Sequence, residues 1–195
     1  MVDAKIDRRI LKTKKAIRTA LIELLATQAL DSISITAIAK AAHITRKTFY
    51  IYYANVQDVV AEIEADIVTA FEQALNKVTI GDHLEDAHLI FETLTQVINN
   101  DFHDYQALVT AHNLDDTQLI RKITDCLKKR LIKITPSDYF NNEQTFMLTV
   151  NYVLAGIMSV YQEWFHNSQA ISIEVLSQQL STLTMSGVAG ILKVS

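Results

Sequence analysis

Residues 39–53 read AKAAHITRKTFYIYY, and this stretch decides how the chain is understood. A run of small residues gives way to Arg46, Lys47 and Thr48, followed by three tyrosines and Phe49. Ile38, Ala39 and Ala42 share one helical face behind Ser34, which stands where an N-cap belongs, so a helix of about two turns is expected there. Its alanines allow a neighbouring helix to come close. In "AHIT", Ile44 is apolar enough to fill the gap between two helices, and Thr45 is placed to cap a second short helix through "RKTFYIYY". Two short helices joined by a three- or four-residue turn describe a helix-turn-helix.

In that geometry the first residues of the second helix meet base edges in the major groove, while neighbouring cations and hydroxyls hold phosphates. Arg46 has the bidentate fork that fits guanine, Lys47 reaches guanine or phosphate, and Thr48 offers a methyl and a hydroxyl. Tyr50 and Tyr52 carry hydroxyls suited to phosphate oxygens. Phe49 and Tyr53, four apart, are expected to face inward. Tyrosines at this density also occur as plain core packing, and it is the adjoining Arg-Lys-Thr that favours DNA.

Upstream, Ile17, Ala20, Leu21, Leu24 and Leu25 recur at helical spacing, which predicts an amphipathic helix over 12–28 with Lys12, Lys14, Lys15 and Arg18 mostly off the apolar face. Residues 1–53 hold ten Lys/Arg against four Asp/Glu, a net +6, whereas the remaining 8 basic and 18 acidic residues give −10. A basic head on an acidic body suits a nucleic-acid reader joined to a domain that does not bind DNA. Chance clustering of solvated lysines is the alternative.

The rest of the 195-residue chain is expected to be helical as well. Four Gly and a single Pro leave few turn-formers, and 49% hydrophobic content is ample for a core. Asn55 and Asp58 are placed to start a helix running to about residue 76. Further helices are expected over 83–99, 102–112, 117–134, 142–166 and 173–193, with Pro136 closing the third of these. The single cysteine, Cys126, rules out an intramolecular disulfide, and the charged N-terminus is unlike a signal peptide, so a cytoplasmic protein with no membrane partner is expected.

The span from about Lys12 to Ile63, with "IAKAAHIT" and "TFYIYY" followed by Asn55 and Asp58, resembles the DNA-binding domain of TetR-family transcriptional regulators. Within that family, "RKTFYIYYANVQDV" and the late "YQEWFHNS" resemble a subgroup that includes activators of dihydroxyacetone kinase operons. The resemblance implies an all-α fold with a helix-turn-helix domain over 1–54 and a helical effector-binding and dimerisation domain over 55–195. It further implies a homodimer on a palindromic double-stranded operator, with Ser34, Thr45, Arg46, Lys47, Thr48, Tyr50 and Tyr52 toward the DNA. Two positions depart from the family pattern. His43 stands in the turn where glycine is usual, and Val56 stands where many members place a phosphate-holding lysine.

The last two helices of the resembling family form the dimer interface. Here the 142–166 segment is apolar around most of its circumference, and the 173–193 segment carries Gly187 and Gly190 among large aliphatics. A buried hairpin within one chain is the other reading of that pattern.

A small-molecule effector is usual in the family, and His88, Phe91, Phe102, Tyr105, His112, Tyr152, Tyr161 and Trp164 are candidates to line its pocket, although such residues at helical spacing also read as core. A co-regulator that recruits a partner protein and has no small ligand is the competing function. No cofactor is expected, and no metal either, since the six histidines are dispersed and no HxxxH or CxxC occurs. An enzyme is disfavoured because no phosphate-binding glycine loop or nucleophile elbow is present.

Overall fold

Apolar residues at helical spacing, interrupted at turns and capping residues, make most of the described residues helical. In a computed structural model, which describes residues 2–78, 88–111, 118–135, 140–167 and 170–190, the described residues hold nine α-helices and no strand. They are α1 (Val2–Leu25), α2 (Ile35–Ala41), α3 (Arg46–Tyr50), α4 (Val56–Lys77), α5 (His88–Asn100), α6 (Phe102–Ala111), α7 (Gln118–Ile134), α8 (Glu143–His166) and α9 (Ile173–Ala189). A 3-10 turn, Leu30–Ser32, follows α1. Helix α1 starts ten residues earlier than the apolar pattern suggests, because residues 2–11 contain no Gly or Pro to stop a helix propagating. The expected start of α5 at residue 83, the closure at Pro136 and the end of α9 at residue 193 lie outside the described residues.

By its contacts the chain forms two compact units, Met1–Ile67 with His103–Asp116, and Val68–Phe102 with Thr117–Ser195. In the first, Ile17, Leu21, Ile38, Phe49, Val59 and Ile63 make a core in which each side chain is almost wholly buried. Three ion pairs fasten its helices. Lys14 Nζ of α1 lies 2.6 Å from Glu62 Oε2 of α4. Arg18 of α1 donates from Nε (3.0 Å) and Nη2 (2.7 Å) to Asp104 Oδ2 of α6, and from Nη1 to Asp66 Oδ2 of α4 at 2.7 Å.

The second unit has α5 packed along α9 and α7 along α8, with α8 also touching α9. Phe91, Leu94, Leu127, Leu154, Tyr161 and Leu180 lie in its core. Asn142 and Ser172 cap α8 and α9, accepting from Thr145 N (2.8 Å) and Val175 N (3.4 Å). Arg130 of α7 donates to the Val78 carbonyl at the end of α4. Cys126 is buried, and its thiol pKa is raised by that burial and by Glu72, so it behaves as a small apolar residue. Among the described residues, no helix is long and apolar enough to cross a membrane.

Candidate nucleic-acid interface

Short helices need capping to exist, and both halves of the helix-turn-helix have it. The Ser34 Oγ accepts from Ala37 N at 3.1 Å at the start of α2, and the Thr45 Oγ1 accepts from Thr48 N at 3.0 Å at the start of α3. Between them His43 adopts φ 53°, in the left-handed region, and Ile44 N returns to the Ala39 carbonyl at 2.9 Å. The turn expected at His43 is therefore present with a non-glycine residue in the glycine conformation. Ile44 is half-buried.

Helix α3 divides cleanly between an inner and an outer face. Phe49 is fully buried and Tyr53 nearly so, their rings 5.7 Å apart. Tyr53 lies under Lys14 Nζ of α1 (5.3 Å from the ring centroid) and donates its hydroxyl to Glu62 Oε1 of α4 at 3.0 Å, which locks α3 to both neighbours. Burial, then the hydrogen bond to Glu62, pushes the Tyr53 pKa well above the ordinary tyrosine range. On the outer face Arg46, Lys47 and Tyr50 are exposed, Thr48 and Tyr52 are half-buried, and the Thr45 and Thr48 hydroxyls are 2.9 Å apart. Ser34 is exposed at the α2 N-terminus together with Thr36, and Lys40 is exposed in the last turn of α2. Thr36 and Lys40 escaped the sequence reading, although a hydroxyl at the second residue of a capped helix and a basic residue in its last turn were there to be noticed.

Val56, in the first turn of α4, points into the core, while Asn55 Oδ1 accepts from Asp58 N at 2.9 Å and Asp58 Oδ2 accepts from Ala54 N at 2.8 Å. That reciprocal cap fixes where α4 begins, shortly after α3.

This unit carries no overall excess of positive charge. The four carboxylates of residues 54–67 and the three of 103–116 offset the +6 of residues 1–53 and bring the unit to −1. Lys14 and Arg18 spend their charge on Glu62, Asp66 and Asp104. Arg8, Arg9, Lys12, Lys15, Lys40, Arg46 and Lys47 are exposed.

The effector candidates do not form one cluster. Tyr105 is buried in the first unit, and Tyr152 stands out to solvent on α8. Phe102 and Trp164 meet with ring centroids 5.7 Å apart, and Trp164 Nε1 donates to the Ile171 carbonyl at 2.9 Å. His88 and Phe91 line a cavity of about 590 Å³ between α5 and α9. Tyr161 is buried behind that cavity, beside Ser177 and Thr95, and burial raises its pKa. His112 lies outside the described residues.

Residues 17–63 match the family model described as bacterial regulatory proteins, tetR family. Across those residues the chain is similar to the TetR family. Proteins of this family are DNA-binding transcription regulators, and the matched residues run from the core of α1 through the helix-turn-helix into α4. The fold is similar to solved TetR-type structures over nearly the whole chain. The dihydroxyacetone kinase operon activator DhaS is 20% identical, with 93% of this chain and 98% of that chain covered at a TM-score of 0.63. The fatty acid degradation regulator FadR from Bacillus halodurans is also 20% identical, covering 90% and 95% at 0.68. NalD, the secondary repressor of the MexAB-OprM multidrug efflux pump in Pseudomonas aeruginosa, is 15% identical, covering 92% and 97% at 0.73. No match is found among curated proteins.

Proposed function

We propose that this chain is a TetR-family, homodimeric, cytoplasmic, sequence-specific operator-binding regulator whose helical body responds to a small-molecule effector. Residues 1–54 read the DNA and residues 55–195 bind effector and partner subunit. The observation that carries the first part is the split face of α3, with Arg46, Lys47 and Tyr50 exposed over a fully buried Phe49. Arg46 and Lys47 address base edges, and the hydroxyls of Ser34, Thr45, Thr48, Tyr50 and Tyr52 address the sugar-phosphate backbone and polar base edges. With Val56 turned inward, one phosphate contact per subunit is absent at the start of α4.

The dimer reading is supported by what α8 and α9 leave uncovered. Leu148 and Leu183 are each 70% exposed and Tyr152 is 78% exposed, while a Cβ added at Gly156 or Gly187 would meet nothing within 4 Å. Large apolar side chains beside open glycines form a surface that a second copy can approach closely. The same surface also fits a co-regulator that recruits a different protein, in which case the purified chain stays monomeric.

The test is selection of bound duplexes from a random DNA pool at a stated salt concentration, together with the solution mass. Enrichment of a palindrome with half-sites one helical turn apart, about 34 Å, and a mass of two chains is expected. A folded dimer that enriches no motif would overturn the operator-binding reading, and a folded monomer would favour the co-regulator.

A further inference from the structure

Helices α1 and α4 run side by side in the same direction. Lys14 pairs with Glu62 and Arg18 with Asp66, so two contacts one helical turn apart keep the same offset of 48 residues. At that offset residue 8 of α1 is level with Val56, the first residue of α4. Helix α1 nevertheless begins at Val2, and its residues 2–7 carry it about 9 Å past the start of α4, at roughly 1.5 Å per residue. This overhang lies at the α3 end of the unit. Only residues 51–55 separate α3 from α4, which sets the start of α4 beside α3, whereas further along α1 Arg18 meets Asp104 of α6.

The overhang and the turns behind it are basic. Residues 2–15 hold six Lys/Arg against Asp3 and Asp7. Arg8, Arg9, Lys12 and Lys15 are exposed, and none of them is in an ion pair among the described residues. At the same level α4 offers no cation, since its first turn reads Val-Gln-Asp-Val with Val56 buried.

A polyanion is the natural complement of such a helix end, and its apolar content decides which kind. Lying on a membrane surface requires a broad apolar face to bury. The apolar face of α1, with Ile17, Leu21 and Leu25, is shut in the core of the head, and Leu11 is its one large apolar side chain exposed among the described residues. Duplex phosphates need only cations, and the exposed Arg46 and Lys47 of α3 belong to the same end of the unit.

We propose that the start of α1 is a second DNA contact, in which Arg8 and Arg9 hold backbone phosphates beside those reached from α3, at the level where α4 brings no cation. The contact positions and tightens without reading bases. It rests on the operator-binding reading above and adds to it a sequence-independent clamp.

The full-length protein and its Arg8→Gln/Arg9→Gln variant are compared on two duplexes of equal length by fluorescence anisotropy over a salt series. One duplex is selected by the parent from a random pool and the other has an arbitrary sequence. Glutamine keeps the helix propensity of arginine, and both positions are exposed, so the fold is retained. The variant should bind both duplexes about tenfold more weakly and enrich the same motif. Its slope of log affinity against log salt should fall by about 0.9 for each lost phosphate contact, about 1.8 per subunit. Arg121→Gln/Lys129→Gln, which removes the same charge from exposed positions of α7, should change neither affinity nor slope. Equal affinity and slope in parent and Arg8→Gln/Arg9→Gln proteins, an equal loss in the α7 variant, or a changed motif would each overturn the contact. Binding to phosphatidylglycerol vesicles that the Arg8→Gln/Arg9→Gln change abolishes, with duplex binding kept, would overturn it in favour of a membrane surface. A parent that enriches no motif, yet loses affinity for the arbitrary duplex in the Arg8→Gln/Arg9→Gln form, would remove the operator reading and leave the contact standing.

Discussion

Replacing Arg18 by Met removes the side chain that joins α1 to α6 and α4 while keeping its length and apolar stem. Arg18 is 26% exposed and Asp104 22%, so the two hydrogen bonds between them are only partly screened. A hydrogen bond to a charged group contributes about 1.5–3 kcal/mol. The contact with Asp66, a side chain 60% exposed, adds no more than about 1 kcal/mol. Because Asp104 would be left half-buried without its cation, the expected loss is about 2–3 kcal/mol, near the upper end of the first range. Urea unfolding of the full chain, followed by far-ultraviolet circular dichroism, should show the midpoint falling with an unchanged slope. A double-mutant cycle with Asp104→Asn should return a coupling of at least about 1 kcal/mol. A loss under about 0.5 kcal/mol, or additive single effects, would refute the argument and reduce the triad to an ornament of the surface.

Tyr53→Phe should cost about 0.5–1.5 kcal/mol at neutral pH through the lost bond to Glu62. Since the folded pKa of Tyr53 lies above its unfolded value of about 10, the neutral phenol's contribution is complete below pH 10 and fades as pH rises through the folded value. Denaturant midpoints above pH 10 should therefore fall less steeply in Tyr53→Phe than in the parent. His43→Gly should stabilise the head by about 0.5–1 kcal/mol by relieving the left-handed backbone, read as a raised urea midpoint; a lowered midpoint would mean that the imidazole makes a compensating contact. Leu183→Glu should halve the solution mass without lowering helicity, and a dimer that persists would move the interface elsewhere. Arg46→Ala should relax preference at one base pair at a cost of about 1–3 kcal/mol in selected-duplex binding; an unchanged motif would assign Arg46 to the backbone.

Much of this architecture is legible locally. Ser34, Thr45, Asn55 and Asn142 announce helix starts through chemistry that acts over three or four residues, and the structure has each of them accepting the amide bond its position implies. The inward turn of Phe49 and Tyr53 follows from their spacing of four. What the sequence hides is pairing at a distance. Lys14 and Arg18 count toward the basic head and sit mostly off the apolar face of α1, yet their partners lie 48 and 86 residues away on α4 and α6, and no local pattern reveals that. The cavity between α5 and α9 is hidden for a similar reason. Ser177 resembles any solvated helix residue until packing shows its proton going to the Phe91 carbonyl, 86 residues away. Aromatic residues drew attention instead, and they are dispersed between the two units.

At five residues α3 is far too short to hold its shape alone, and it persists because Phe49 and Tyr53 anchor it from beneath. The anchors and the outward residues share no side chain. Arg46, Lys47, Tyr50 and Ile51 are all exposed, where substitutions typically change folding by less than about 0.5 kcal/mol. A lineage carrying this scaffold is therefore free to change what this outer face presents one position at a time, with the folded protein as a silent bystander, while positions 49 and 53 stay closed to drift.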